Sequence, residues 1–189
     1  MRKILIIVLM LTGVAAYGQP FEVSYTAGTS VNLTSQIDLG ADLTYTFPVG
    51  ESITLGLGAG VRYARPIFWH KTSIVDGNKS INRSYVNEVT VPMYGRFRYQ
   101  TGSKVYFQTD AGYRITLMDF FSQLPGPYID PQVGFKIDGK RSWSAGLSFQ
   151  YCPVYEDIEM RRTSDYYVSW GDMTHKLRQV AFVRYTKTL

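Results

Sequence analysis

The chain has 189 residues, with 20 Lys and Arg against 15 Asp and Glu, a formal charge of +5, one cysteine, 15 Tyr, 10 Phe and 3 Trp. One cysteine excludes an internal disulfide, and basic residues scattered without a run or stripe exclude a nucleic-acid surface. No apolar run reaches the roughly 18 residues of a membrane helix, so a chain of this kind that enters a membrane enters as a barrel.

Met1, Arg2 and Lys3 precede the apolar run Ile4 to Leu11 and the small residues Ala16 and Gly18. This pattern predicts a secretory signal over 1–18, cleaved to leave Gln19 as the first residue of one barrel domain over 19–189. Without Arg2 and Lys3 the excess is 18 − 15 = +3. The remaining chain has no Ser/Pro-rich linker and no low-complexity block, and Cys152 is too far from the signal to serve as a lipid-attachment residue.

Eight segments then alternate with period two, which excludes helix. Phe21, Val23, Tyr25 and Ala27 oppose Glu22, Ser24, Thr26 and Gly28. Ile37, Leu39, Ala41, Leu43, Tyr45 and Phe47 oppose Asp38, Gly40, Asp42, Thr44 and Thr46. After a turn at Pro48 to Ser52, Ile53, Leu55, Leu57, Ala59, Val61 and Tyr63 oppose Thr54, Gly56, Gly58, Gly60 and Arg62. Val89 to Tyr99 and Val105 to Leu117 flank a second turn at Thr101 to Lys104, with Arg96 and Arg98 set against Asp110 and Arg114 on the polar face. Ile129, Val133, Phe135 and Ile137 oppose Asp130, Gln132 and Lys136. A turn at Asp138 to Ser142 leads into Trp143 to Tyr151, and the last strand, about Leu177 to Lys187, places Arg178, Phe182 and Arg184 opposite Ala181, Val183 and Tyr185.

Short turns alternate with longer loops at Thr29 to Ser35, Ile67 to Asn87, Phe120 to Tyr128 and Glu156 to Lys176. This rhythm predicts an all-β fold: an eight-stranded antiparallel up-and-down transmembrane β-barrel with a closed lumen, in the cell outer membrane, with both termini in the periplasm. Magnitude assigns the faces. An arginine at the bilayer midplane costs about 2 to 4 kcal/mol, so the apolar set meets lipid and the charged set turns inward. Aromatic girdles are expected from Phe47, Tyr99, Phe107, Trp143 and Tyr185 at the short-turn end, and from Tyr63, Trp69, Phe120, Phe121, Tyr128 and Tyr155 at the loop end. Pro92 lacks a ladder donor and predicts a bulge or local break, and Gly95 stands where an outward apolar side chain was due.

The segment Tyr85 to Tyr99, YVNEVTVPMYGRFRY, enters a strand through an apolar-proline pair and continues with alternating apolar and basic residues. It resembles a motif of the Bacteroidota-type outer-membrane β-barrel domain family, which includes relatives of a barrel component of a secretion and gliding apparatus. The resemblance implies an outer-membrane location and a structural or interaction role, for example as a subunit of a larger membrane complex. Many outer-membrane barrels end in an aromatic residue, whereas this chain ends in Leu189 with Tyr185 inside the last strand.

Eight strands leave room inside for side chains only. The expected lumen charge network is Glu22, Asp38, Asp42, Arg62, Arg96, Arg98, Asp110, Arg114, Asp130, Lys136, Arg178 and Arg184, a mutually satisfied plug rather than a pore. Arg96 and Arg98 are expected to fork onto carboxylates such as Asp110 or Asp42. Gly56, Gly58 and Gly60 leave room for Tyr94, Arg96 and Arg98. The two histidines and one cysteine have no metal-ligand spacing, and neither a metal nor a cofactor is expected.

Two loop clusters bear on function. His70, Ser73 and Asp76, or His175, Asp172 and Ser169, are the candidates for a lipid-modifying enzyme, but their spacing matches no catalytic signature and no enzyme is expected. In the fourth loop, Tyr166, Tyr167 and Trp170 are candidate partner-binding residues, or else the headgroup-level aromatics of a hairpin that extends the wall. The partners expected are outer-membrane lipid and a protein met through the loops or the barrel wall. The inside-out alternative is a soluble, lipocalin-like barrel with the apolar face inward. It would expose a stretch, Ile37 to Pro66, that has no lysine and a single glutamate.

Overall fold

The computed structural model describes residues 21–31, 37–75, 78–117, 126–162 and 167–189, with side chains described except at 66–87 and 152–176. Eight strands follow in order: β1 (Phe21–Ser30), β2 (Ile37–Pro48), β3 (Ile53–Val75), β4 (Asn78–Gln100), β5 (Val105–Thr116), β6 (Gly126–Lys136), β7 (Arg141–Arg162) and β8 (Tyr167–Thr188). Each is antiparallel to the next, and β1 pairs with β8 to close the barrel. β1, β2, β5 and β6 have 10, 12, 12 and 11 residues, about the length of a tilted membrane strand.

The register turns the alternating charged positions inward, apart from Arg65 on β3, Arg141 at the start of β7 and Lys187 near the end of β8. Leu57, Phe107, Val133, Leu147 and Val183 are exposed on the outer wall, while Glu22, Asp42, Asp110, Arg96 and Arg184 are buried. A soluble monomer does not carry a continuous apolar exterior of this kind, whereas lipid requires one. The polar face lies inside, so the lipocalin-like arrangement is reversed here. At the turn end, Tyr99, Phe107 and Trp143 are exposed on the wall, and the Trp143 and Tyr185 rings lie 5.2 Å apart.

The short turns close on backbone hydrogen bonds from Val49 N to Ile53 O (3.0 Å), Thr101 N to Val105 O (3.1 Å) and Ile137 N to Arg141 O (2.9 Å). In the last of these turns the Asp138 carboxylate accepts from the backbone amides of Lys140 (2.8 Å) and Arg141 (2.7 Å) and from Arg141 Nε (2.6 Å). The Lys140 amide, followed by the Arg141 side chain, holds the Asp138 carboxyl below its usual range.

Pro92 lies in register with β5, opposite Arg114. On its other side the ladder to β3 lapses between Met93 and Thr90 and resumes without a shift. The missing donor therefore produces a local break and no bulge. Pro131 repeats the device: its pairing with Thr109 persists, while the ladder to β7 lapses between Ile129 and Gln132. Gly95 faces outward into open space, where an added Cβ would meet nothing nearer than Ala111 O at 4.0 Å.

Two expected loops are strands. Ile67 to Val75 and Asn78 to Asn87 form the upper parts of β3 and β4, and Glu156 to Arg162 and Tyr167 to Lys176 the upper parts of β7 and β8. Beyond the membrane no lipid enforces an apolar face, so segments such as NKSINRS read as loop although their backbone is paired. The register shifts by one residue between Ala64 and Ile67 and again between Glu156 and Glu159. These bulges, at Arg65–Pro66 and Asp157–Ile158, bend the hairpins where they leave the wall. The two hairpins rise from opposite walls, four strands apart in the ring, and β3 pairs with β7 in parallel at Ile74–Glu159 and Val75–Met160. They thus meet in an arch across the mouth.

Candidate functional site

The interior is three stacked layers of ion pairs. At the turn end Glu22, on β1, accepts from Arg96 Nη1 (2.8 Å) and from Arg98 Nη1 (2.6 Å) and Nη2 (2.8 Å), while Arg98 Nε donates to Gln108 (2.8 Å). Arg98 lies 4.8 Å from the Tyr106 ring centroid. The Tyr106 hydroxyl donates to Ser142 (3.1 Å).

The middle layer centres on Asp110. Arg96 forks onto it through Nε (2.8 Å) and Nη2 (3.0 Å), and Arg184 adds a short ion pair from the opposite wall. Arg62 Nη2 donates to Asp42 (2.9 Å), and Arg184 lies 3.6 Å from Asp130. Tyr94 fills the space left by Gly58, in hydrogen-bond contact with Thr44 Oγ1 at 2.7 Å. At the hairpin end Arg178 bridges Glu88 (2.8 Å) and Asp38 (3.3 Å). Arg114 donates to Gln150 (2.7 Å) and stacks 5.0 Å over Tyr128.

The structure brings the sequence-predicted residues together with few exceptions. Glu22, Asp38, Asp42, Arg62, Arg96, Arg98, Asp110, Arg114, Asp130, Arg178 and Arg184 are all buried in the lumen, and Lys136 is half-buried at the turn-end rim. Asp42 pairs with Arg62 rather than with Arg96 or Arg98, and Glu22 takes the expected place of a second aspartate between those two. Of the three glycines, Gly58 makes room for Tyr94, while a Cβ at Gly56 or Gly60 would meet β2 instead.

The expected fourth strand, from Val89, leaves out Glu88, which the structure buries in the lumen. The period from Thr90 backward already places Glu88 inward. Tyr128, expected in the loop-end girdle, is instead buried under Arg114, since it shares parity with Asp130 and Gln132. The girdle residues Phe120 and Phe121 and the signal segment lie outside the described residues, and the side chains of Trp69 and Tyr155 are not described.

Of the candidate catalytic residues, His70 and Ser73 lie on β3 and Ser169, Asp172 and His175 on β8, with side chains that are not described. Asp76 is outside the described residues. Tyr167 and Trp170 lie in β8, opposite Arg162 and Glu159, and Tyr166 is outside the described residues. Among the described residues no three metal-ligating side chains cluster.

No family model matches the chain, and no curated protein matches it. Among solved structures, the chain is similar to a de novo designed transmembrane β-barrel, at 11% identity and TM-score 0.46, over 90% of this chain and 96% of that one. It is similar to the Yersinia pestis outer membrane protein Ail in phospholipid nanodiscs, at 11% identity and TM-score 0.47, over 90% of this chain and 99% of Ail. A Pseudomonas aeruginosa FadL homologue is similar at 15% identity and TM-score 0.40, over 81% of this chain and 37% of that one. These likenesses are ones of fold. The chain is an all-β, closed, eight-stranded antiparallel barrel.

Proposed function

We propose that the protein is an integral outer-membrane barrel without catalytic activity, acting as a structural or interaction protein whose joined hairpins meet a partner at the cell surface. One observation carries this reading. A largely apolar wall surrounds a lumen filled by ion pairs, which leaves the hairpin arch as the part free to engage anything but lipid. Eight strands filled in this way leave no channel. The same reading includes the resemblance of Tyr85 to Tyr99 to the Bacteroidota-type family and a place in a larger membrane complex, with the signal segment directing export.

Membrane extraction tests the location. The protein is expected to resist a carbonate wash and to migrate faster unboiled than boiled. Release by the wash with no mobility shift would overturn it. Excision of Glu156 to Lys176 tests the role: the barrel is expected to remain folded and to lose its co-purifying partners. Unchanged co-purification would overturn the interaction reading.

A further inference from the structure

On β7 and β8 the outward face changes character in order toward the turn end. Leu147 stands opposite Ala181, Ala145 opposite Val183, Trp143 opposite Tyr185 and Arg141 opposite Lys187. Down this ladder the wall is aliphatic, then aromatic, then cationic. Leu147, Val183, Trp143, Arg141 and Lys187 are all exposed. Two residues of strand at roughly 3.4 Å each, tilted by about 40°, put the cationic pair about 5 Å beyond the aromatic one. Trp and Tyr rings mark the border of the hydrocarbon, so Arg141 and Lys187 lie at the level of the lipid headgroups.

The cations collect on one side of the rim. Lys104 folds over the outward Phe135 ring, its Nζ 5.8 Å from the centroid, and Phe135 pairs with Trp143. Lys140 adjoins Arg141 in the turn, and its carbonyl accepts from the Thr188 amide (2.7 Å), which ties the turn to the end of β8. Asp138, Lys140, Arg141 and Lys187 line a shallow concavity there. The Asp138 carboxylate is committed to Arg141 Nη2 (2.6 Å) and to the turn amides, so it offsets one of the three positive charges. Among the described residues no carboxylate is paired with Lys140 or Lys187. Residues 1–20, which precede β1 beside β8, contain neither Asp nor Glu. Like charges directly opposite each other destabilise a strand pair, and Arg141 and Lys187 are so placed.

We propose that Lys140, Arg141 and Lys187 bind the phosphate of an anionic glycerophospholipid in the turn-end leaflet, with its acyl chains against the wall at Trp143, Ala145 and Leu147. The inference rests on the membrane reading above and names the lipid that this part of the wall selects. The bound anion relieves the repulsion between Arg141 and Lys187. A zwitterionic headgroup brings its own ammonium to the cations and is a poorer occupant. A soluble phosphate meets the same charges but gains nothing from the apolar ladder behind them, so the ordered change from aliphatic to aromatic to cationic favours the lipid.

The test uses the full chain folded in phosphatidylcholine nanodiscs, with Trp69→Phe and Trp170→Phe so that Trp143 is the sole tryptophan. Phosphatidylglycerol or phosphatidylcholine, brominated near the top of the acyl chain, is added at increasing mole fraction to quench it. The brominated phosphatidylglycerol is expected to quench at a mole fraction at least about fivefold lower, the factor that one cation near a membrane surface contributes. Lys140→Gln with Lys187→Gln, which leaves the Arg141–Asp138 pair in place, should remove most of that preference, and Lys140→Arg with Lys187→Arg should keep it. About 1 M salt should reduce the preference without any substitution at the site. Equal quenching by the two lipids in the folded barrel, or a preference unchanged by the Gln pair, would overturn the site while the membrane reading stands. Absence of the unboiled mobility shift in the unsubstituted protein would remove both. Displacement of the phosphatidylglycerol by millimolar glycerol phosphate would overturn the lipid assignment in favour of a free phosphate.

Discussion

Asp110 is the most heavily committed side chain of the lumen. It is fully buried and receives guanidinium groups from two walls, Arg96 on β4 and Arg184 on β8, with Gln108 Nε2 at 3.2 Å besides. Asp130 lies directly opposite Asp110 on the neighbouring strand β6 and is buried as deeply, yet its nearest guanidinium is 3.6 Å away and its Oδ1 has no protein partner. Breaking a buried pair from one side leaves the other charge uncompensated, at a cost of about 3 to 5 kcal/mol. Asp110→Asn strands part of two arginines at once, whereas Asp130→Asn removes a looser contact. The first variant is therefore expected to lose about 3 kcal/mol or more and the second at least about 1 kcal/mol less, read from the urea midpoint of the unboiled band shift. Equal losses would show that burial alone, not direct pairing, sets the strength of the network.

At the scale of the strand, glycines have opposite meanings on the two faces. A Cβ at Gly134 on β6 would fall on the Tyr106 ring, which is held between Arg98 and Ser142. Gly95 on β4 faces outward with open space around it. Gly134→Ala should cost about 1 to 3 kcal/mol by overpacking, while Gly95→Ala should be neutral or stabilising in lipid, both measured by the same band shift. If Gly95→Ala proved the costlier, the wall there would be filled by something other than lipid. The same parity explains what could be read from the chain alone. Inside the membrane two solvents meet each strand, so alternation is enforced and eleven of the twelve expected lumen charges are buried. Where that enforcement ends, the pattern fails: Glu88 falls between the expected loop and the expected strand, Tyr128 reads as a girdle residue, and the polar upper parts of β3, β4, β7 and β8 read as loops. The contact between β3 and β7 joins residues about 85 positions apart through bulges that no local pattern announces.

At the scale of the whole barrel the lumen charges cancel. Among the described residues six buried carboxylates, Glu22, Asp38, Asp42, Glu88, Asp110 and Asp130, face six buried guanidiniums, Arg62, Arg96, Arg98, Arg114, Arg178 and Arg184, and every one of these carboxylates has a guanidinium within 4.0 Å. A permeating ion would have to displace a bound partner at each of the three layers, where the guanidiniums of Arg96, Arg98 and Arg114 lie against the buried rings of Tyr94, Tyr106 and Tyr128. Desolvated pairs of this kind cost several kcal/mol to separate, so neither a cation nor an anion finds a favourable path and the neutral lumen selects for neither. The barrel reconstituted in planar bilayers is therefore expected to show no stepwise conductance at either polarity, and the arch-deleted form lacking Glu156 to Lys176 should stay equally silent, because the barrier lies in the lumen and not in the arch. Steps appearing only after that deletion would move the barrier to the hairpins. Steps in the intact protein would mean that the ion-pair layers open within the membrane, and the reading of the interior as a structural plug would fall with them.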